Sequence, residues 1–221
     1  MNVLIVHAHP EPKSFCSALK DTAVQTLAAA GHHVEVSDLY ALNFNPVGGR
    51  GDFHQQLDEH FRYQREQGAA WEKGLEAGFS AELATEVKKL QKADLVILNF
   101  PLWWFGLPAI LKGWMDRVLI LGFAYGHGAI YDKGLLSAKT ALCCLTTGGG
   151  AELYGPDGLN GHLLDNVLWP VNHGMLYYTG MKTLAPQASH MPGRSTPEQR
   201  EAMLQRWADR LATLAGEPGL W

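Results

Sequence analysis

Three runs of mainly apolar residues constrain the fold of this chain more than any other feature. Residues 3–6 read VLIV, residues 93–100 read ADLVILNF, and residues 140–147 read TALCCLTT. A strand with one face in water alternates apolar and polar residues, but these runs do not alternate, so they are typical of strands buried on both faces. Such strands belong to parallel sheets that carry helices on both sides.

Helical segments follow these runs at the spacing of a β–α–β chain. The first helix is predicted over residues 14–30, because Ser14 suits an N-cap, apolar residues recur at helical spacing, and Gly31 follows the last turn. We also predict a strand around residues 34–36 and helices over residues 81–91, 108–119 and 196–214. Residues 44–78 are polar, and we expect them to be irregular apart from one helix. The pattern indicates an α/β fold with a doubly wound, mainly parallel sheet.

Composition narrows the class of protein. The chain has 221 residues, 47% of them hydrophobic, which suits one α/β domain or two very small ones. Its formal net charge of −4 makes nucleic acid an unexpected partner. The amino terminus lacks the basic segment of a signal peptide, and no apolar run approaches the ~20 residues of a membrane helix. We therefore expect a cytoplasmic protein without membrane insertion. The three cysteines, Cys16, Cys143 and Cys144, are expected to be buried, reduced thiols.

The loop after the first strand reads HAHPEPKSFCSALK and opens the first helix. The amino end of a helix attracts anions through its free N–H groups and its dipole. Lys13, Ser14 and the amides of Phe15 and Cys16 are candidate contacts to a phosphate, with His9 beside them. No glycine-rich dinucleotide or P-loop motif is present, and a capped helix after a proline turn explains the same residues equally well.

The loop after the strand at residues 93–100 reads PLWWFG. Neighbouring loop residues diverge, so its aromatic rings cannot all point into the core, and an exposed ring at this edge of the sheet suits stacking on a planar ligand. The amides of Trp103, Trp104 and Phe105 would then lie along the edge of that ligand. The apolar residues of the helix that follows are more typical of core or of a dimer contact.

The loop after the strand at residues 140–147 reads TTGGGAELYG. Consecutive glycines let a backbone approach a ligand closely, although a flexible turn accounts for them as well. Because parallel strands end at the same edge of a sheet, we expect the three loops to meet there and to form one site.

Long stretches of the chain resemble the NAD(P)H:quinone oxidoreductases, the two-electron quinone reductases with a flavodoxin-like fold. The likeness covers residues 2–212 and rests on VLIVHAHPEPKSF, SDLYALNFNP, ADLVILNFPLWWFGLPAILKGWMDRV, YDKGLL, TTGGGAELY, LNG and LWPVNHG. The resemblance implies a flavodoxin-like, doubly wound sheet of five parallel strands with helices on both faces, here in a single domain over residues 1–221. It also implies bound FAD, with FMN as the alternative, and a homodimer whose active sites lie at the interface.

The resemblance also assigns site residues by position. The flavin cofactor would be bound by His9, Ser14, Phe15, Cys16, Ala18, Pro101, Leu102, Trp103, Trp104, Phe105, Thr146, Thr147, Gly148, Gly149, Tyr154 and Arg200. Catalytic roles fall to Gly148, Gly149, Tyr154 and Asn160. The substrate pocket would be formed by Trp104, Tyr125, His127 and Tyr178, with the partner chain closing it.

Some positions depart from the family pattern. Cys16 stands where the family usually has asparagine, and Asn160 stands where the better-known branch has a histidine paired with the tyrosine. One branch holds zinc with two histidines and a cysteine, but here His173 is accompanied by Tyr177 and no cysteine follows Cys144. We therefore expect no metal.

The expected reaction is a two-electron reduction of a quinone, or of a similar flat, electron-poor acceptor, by NAD(P)H in a ping-pong hydride transfer. Two alternatives share the fold: a flavin-bearing regulatory subunit of a potassium-efflux system, and an FMN-dependent, azoreductase-like enzyme. A flavodoxin-like electron carrier is a further alternative, which the aromatic substrate residues argue against.

Overall fold

A computed structural model describes residues 1–221 and contains one parallel sheet. Its strands are β1 (Asn2–His7), β2 (His33–Asp38), β3 (Leu95–Pro101), β4 (Thr140–Thr147), β5 (Lys182–Thr183) and β6 (Gln187–His190). They are arranged in the order β2-β1-β3-β4, and both short strands β5 and β6 pair with β4 in parallel. The fifth position of the predicted five-stranded sheet is thus shared by two strands.

The unbroken apolar runs are explained by burial on both faces of the sheet. In β1, Leu4 and Val6 belong to a core on one face, whereas Val3 and Ile5 belong to a second core on the other face. All seven residues of β3 are buried. A strand with this environment has no solvent face to place polar residues on, which is why its sequence shows no alternation.

Seven α-helices accompany the sheet: α1 (Phe15–Ala29), α2 (Tyr63–Lys73), α3 (Leu75–Gly78), α4 (Ala81–Lys92), α5 (Ala109–Val118), α6 (Trp169–Val171) and α7 (Pro197–Thr213). Helices α1 and α7 cover one face of the sheet, and α2, α4, α5 and α6 contribute to the core on the other face. Helix α6 is flanked by π-helical turns at Leu163–Val167 and Asn172–Tyr177. The expectation of helices on both faces is confirmed.

Residues 44–78 are more ordered than the sequence suggested, which corrects that expectation. They contain a 3-10 turn at Arg50–Asp52 and both α2 and α3. Buried Asp52 accepts hydrogen bonds from Arg117 of α5 at 2.6 and 3.0 Å and from the Tyr63 hydroxyl at 2.6 Å. Burial lowers the pKa of Arg117, but its hydrogen bonds to Asp52 and Glu82 outweigh this and raise it. The segment is therefore fastened to the core by a buried ion pair.

Candidate functional site

The loops that follow β1, β3 and β4 meet at the carboxyl edge of the sheet, where open α/β sheets bind ligands. The imidazole of His9 and the indole of Trp103 have centroids 6.3 Å apart, which joins the first loop to the second. The amide of Leu102 donates to the carbonyl of Thr146 at 2.8 Å, which joins the second loop to the third. The predicted convergence of the three loops is present.

At the first loop, Ser14 caps helix α1. Its hydroxyl accepts a hydrogen bond from the amide of Ser17 at 3.0 Å, and its carbonyl accepts the amide of Ala18. The amides of Phe15 and Cys16, in the first turn, find no acceptor within the chain. Two free N–H groups at the positive end of a 15-residue helix form a suitable site for a phosphate.

The Cys16 thiol faces the interior rather than this site. It is buried and lies 3.5 Å from Oδ1 of Asn99, so only the backbone amide of Cys16 is presented to a ligand. Burial also raises the pKa of the thiol far above its usual value, which makes it unreactive as a nucleophile.

The second loop forms a two-residue hairpin turn. Trp103 and Gly106 exchange hydrogen bonds of 3.0 and 3.2 Å, and the two residues between them, Trp104 and Phe105, have φ angles of 48° and 58°. Left-handed backbone at two successive positions is the geometry of a type I′ turn, which normally selects asparagine and glycine. Bulky aromatic residues there cost about 1 kcal/mol or more each.

The rings on this turn are unusually exposed. Trp104 is 97% exposed, and Trp103 and Phe105 are 43% and 51% exposed. Strained backbone is retained where it serves a function, and exposed aromatic rings favour a flat, apolar partner. The turn is therefore a suitable platform for a planar ring system.

At the third loop, Thr147 links the end of β4 to the glycines. Its hydroxyl lies 2.8 Å from the carbonyl of Gly149 and 2.8 Å from Nδ1 of His190. The ring of Tyr154, which is buried, stacks on His190 with centroids 5.7 Å apart. Burial lowers the pKa of His190, so this imidazole is neutral near pH 7. These contacts hold Gly149 and Tyr154 in place.

His190 was not among the residues expected from the sequence. It lies 43 residues after Thr147, in a strand whose sequence QASH carries no aliphatic run. No local pattern could have indicated that it ends beside Tyr154.

The third loop is open at Gly148 and closely packed at Gly149. A side chain at Gly148 would meet nothing within 4 Å, whereas one at Gly149 would lie 2.9 Å from Leu153 and 3.6 Å from the Tyr154 hydroxyl. The amide of Asn160 donates to the carbonyl of Leu153 at 2.9 Å, which folds Asn160 back beside Tyr154. Gly149 and Tyr154 are thus in contact, and Asn160 is bonded to the residue that precedes Tyr154.

A groove of about 560 Å³ continues from the amino end of α1 to that of α7. It is lined by Lys13, Ser14, Phe15, Ala18, Pro192, Gly193, Pro197, Arg200, Glu201 and Leu204. The Arg200 guanidinium donates to the carbonyl of Ser195, so one of its ends is anchored. Four residues expected to contact the cofactor, Ser14, Phe15, Ala18 and Arg200, therefore share one groove.

Tyr125 and Tyr178 lie together elsewhere. Their ring centroids are 5.8 Å apart, and both line a second groove of about 320 Å³, which shares no residue with the first. Burial raises the pKa of Tyr125, whose hydroxyl accepts a hydrogen bond from Gln64 at 3.1 Å. His127 sits on an exposed turn two residues after Tyr125, with a φ of 43°.

Comparison with known proteins agrees with this geometry. A family model described as having a flavodoxin-like fold matches residues 1–211. The ribosyldihydronicotinamide dehydrogenase [quinone] of Pongo abelii is 47% identical over 214 residues, which cover 96% of this chain and 91% of that protein. The NAD(P)H dehydrogenase [quinone] 1 of Rattus norvegicus is 43% identical over 220 residues, which cover 99% and 79% of the two chains. This chain belongs to the NAD(P)H:quinone oxidoreductase family.

A solved structure agrees with the family assignment. The crystal structure of a candidate quinone reductase from Klebsiella pneumoniae superimposes with a TM-score of 0.93 at 38% identity, over 100% of this chain and 87% of that one. The predicted family, the flavodoxin-like α/β fold and the class of NAD(P)H dehydrogenase are confirmed, and the two alternative functions are not favoured.

The residues at the carboxyl edge fit a flavin, the cofactor that the family resemblance implies. The free amides of α1 suit a phosphate, the exposed indole of Trp104 suits a planar ring, and the open side of Gly148 allows close approach. Only the strained, exposed turn at Trp104 is unusual on its own, but all three features occur at one edge of the sheet.

No three histidine, cysteine, aspartate or glutamate side chains come together in an arrangement that could hold a metal ion. His173 instead stacks on Trp169 with centroids 4.2 Å apart and packs edge-on against Trp221. Among the helices, none combines the length and the hydropathy needed to cross a bilayer.

Proposed function

We propose that this protein is a flavin-dependent NAD(P)H dehydrogenase that reduces quinones, or similar flat, electron-poor acceptors, by two electrons in a ping-pong reaction. The observation that carries the proposal is the turn at Trp104 and Phe105. Its two aromatic residues occupy strained backbone, and the Trp104 ring is almost wholly exposed. An unliganded protein gains nothing from this arrangement, whereas a stacked ring system would use it.

We propose FAD rather than FMN as the cofactor. The groove of about 560 Å³ begins at the free amides of α1 and extends past Ala18 to Arg200. FMN ends at a single phosphate and would leave the groove empty, whereas FAD continues through a pyrophosphate to an adenosine. The volume and position of the groove support the longer cofactor.

A bound flavin supplies a ring that accepts a hydride from NAD(P)H and passes it to the acceptor. Trp104 and Phe105 would position that ring by stacking, with Pro101 and Leu102 beneath it. Thr146 and Thr147 end β4 where the ring's far edge would lie. The amides of Gly148 and Gly149 and the hydroxyl of Tyr154 would face the edge on which negative charge develops, where one lost donor typically costs ~3 kcal/mol.

Asn160 has a more limited role in this proposal than a histidine would have. An amide does not titrate near neutral pH, so Asn160 can orient Tyr154 or a substrate but cannot store a proton. His190, stacked on Tyr154, is neutral and holds that ring in place.

We propose that two copies of the single domain, residues 1–221, form a homodimer in the cytoplasm. Tyr125, His127 and Tyr178 of one copy would close the acceptor pocket above Trp104 of the other. In support, Tyr125 and Tyr178 line a groove that shares no residue with the proposed cofactor groove of the same chain, so a site that uses both would draw them from another copy. The net charge of −4 argues against nucleic acid as a partner.

The first experiment is an assay of NAD(P)H oxidation with a soluble quinone, combined with release of the bound flavin and its separation by chromatography. The expected result is acceptor-dependent turnover and a released flavin that elutes as FAD. Turnover with FMN as the only flavin would contradict the cofactor proposal. A colourless protein that takes up neither flavin would overturn the proposed function.

The shared active site is tested by complementation. Trp104→Ala and Tyr178→Ala should each lower quinone reduction in the homodimer. Heterodimers co-expressed from the two variants contain one site with both changes and one with neither, so they should recover about half of the wild-type activity. No recovery in an isolated heterodimer would contradict a site built from both chains.

A further inference from the structure

His7, the last residue of β1, lies beneath the phosphate loop and is only 1% exposed. Its Nδ1 is 2.5 Å from Oδ1 of Asn99 on β3, and its Nε2 is 3.2 Å from the hydroxyl of Ser17 in α1. A buried, bonded histidine at the junction of two strands and a helix is not used by the reaction proposed above.

We infer that His7 is a positioning residue that sets the protein's affinity for the cofactor's phosphates by holding the first turn of helix α1. The inference rests on the proposed function, since it concerns the same flavin site. It adds a residue to that site which the sequence did not suggest.

The hydrogen-bond partners fix the tautomer of His7. Nδ2 of Asn99 donates to the carbonyl of Cys144 at 3.3 Å, so Oδ1 of Asn99 faces the imidazole and can only accept. Nδ1 of His7 must therefore carry the hydrogen, which leaves Nε2 as an acceptor. The Ser17 hydroxyl divides its one hydrogen between Nε2 of His7 at 3.2 Å and the carbonyl of Glu11 at 3.0 Å. A histidine side chain free in water favours the Nε2-protonated tautomer, so an Nδ1-protonated His7 can be distinguished by measurement.

The Ser17 hydroxyl connects His7 to Ser14, the N-cap residue of α1. Oγ of Ser17 lies 2.9 Å from Oγ of Ser14, and Oγ of Ser14 accepts the amide of Ser17. A chain of contacts thus runs from Asn99 through His7 and Ser17 to Ser14, with a branch from Ser17 to the carbonyl of Glu11. The free amides of Phe15 and Cys16 lie within the turn that this chain immobilises, so its loss would let the phosphate-binding amides move.

The surroundings keep His7 neutral near pH 7. Burial lowers the pKa of His7 most strongly, and the nearby Lys20 and His9 lower it as well. The hydrogen bond to Asn99 and the charge of Asp38 oppose this but do not outweigh it. His7 therefore contributes by its two hydrogen bonds rather than by a positive charge beneath the phosphates.

The test compares FAD with riboflavin, which has the flavin ring but no phosphate, in titrations of the flavin-free protein. His7→Leu removes both hydrogen bonds and should raise the Kd for FAD by about three- to tenfold, the usual effect of one net hydrogen bond. The Kd for riboflavin should stay within about twofold, since stacking on Trp104 does not depend on the phosphate loop. His7→Gln keeps one donor and one acceptor and should restore most of the FAD affinity.

Two further variants make the test independent of folding defects. Ser17→Ala cuts the chain beyond His7 and should weaken FAD binding in the same direction. Thr183→Val is the control, because Thr183 is equally buried but pairs with Ala141 at the opposite end of the sheet, and it should leave both affinities unchanged.

Nitrogen-15 NMR of histidine-labelled protein should show a neutral, Nδ1-protonated His7 in the absence of cofactor. An Nε2-protonated ring, or equal losses of FAD and riboflavin affinity in His7→Leu, would overturn the inference while leaving the proposed function intact. A wild-type protein that bound neither flavin would overturn the proposed function instead.

Discussion

Replacing Trp104 by asparagine should stabilise the flavin-free protein and lower its affinity for FAD. Trp104 has a φ of 48° and is 97% exposed, so the substitution removes backbone strain and almost no packing. Left-handed backbone costs an ordinary residue roughly 1–2 kcal/mol, and asparagine tolerates it far better. We therefore expect a gain of about 1 kcal/mol in the free energy of unfolding.

For a protein of this size, 1 kcal/mol corresponds to a rise in Tm of roughly 2–4 °C, which thermal unfolding of the flavin-free protein can resolve. Val47→Asn is the matched control, because Val47 is also exposed, at 70%, but has ordinary backbone. The control should show no gain. In the same Trp104 variant, the Kd for FAD should rise at least severalfold through lost stacking. An unchanged or lower Tm would refute the claim that the backbone at Trp104 is strained. An unchanged Kd for FAD would refute the claim that the Trp104 ring stacks on the flavin.

Three other outcomes are expected. Tyr154→Phe should slow flavin reduction by NAD(P)H severalfold in stopped flow while FAD stays bound, and an unchanged rate would remove the Tyr154 hydroxyl from the reaction. Arg117→Ala leaves the Asp52 carboxylate buried and unpaired, so it should lower the free energy of unfolding in urea by about 3–5 kcal/mol. The control, Lys112→Ala, removes an exposed ion pair and should lower that free energy by less than about 1 kcal/mol. Similar losses in both variants would contradict the buried pair. Burial raises the pKa of Cys144 to about 12, so at pH 8 its thiol is protonated, and all three cysteines should react with a thiol reagent only after unfolding. Rapid labelling of the native protein would contradict their burial.

The strands at the centre of the sheet could be predicted because burial on both faces leaves a direct trace in sequence. Residues 95–98 read LVIL, and every one of them is buried. The edge position was harder to find. Strands β5 and β6 have two and four residues, and Pro186 lies between them, so neither produces a readable apolar run.

The helices of residues 44–78 were underestimated for a different reason. Their stability comes from tertiary contacts, above all the ion pair of Asp52 with Arg117, which is 65 residues away in the chain. Propensity within a polar, glycine-containing segment gives little indication of such contacts.

The candidate site, like the fold, could be predicted from the sequence only in part. Local patterns located the loops, because each follows a predicted strand and carries unusual residues. His7 contacts Asn99, 92 residues away, and His190 contacts Thr147, 43 residues away. These contacts depend on the order of the strands in the sheet rather than on neighbouring sequence. The strain at Trp104 and Phe105 could not be predicted either, since aromatic residues are rare in a type I′ turn.

The most direct test of the account is a crystal structure of the protein with FAD. The isoalloxazine ring should stack on the turn at Trp104, with its phosphates at the amides of Phe15 and Cys16 and its adenosine in the groove beside Arg200. Density for the ring at another place, or a carboxyl edge closed over by the protein's own side chains, would contradict the claim that the three loops form one flavin site.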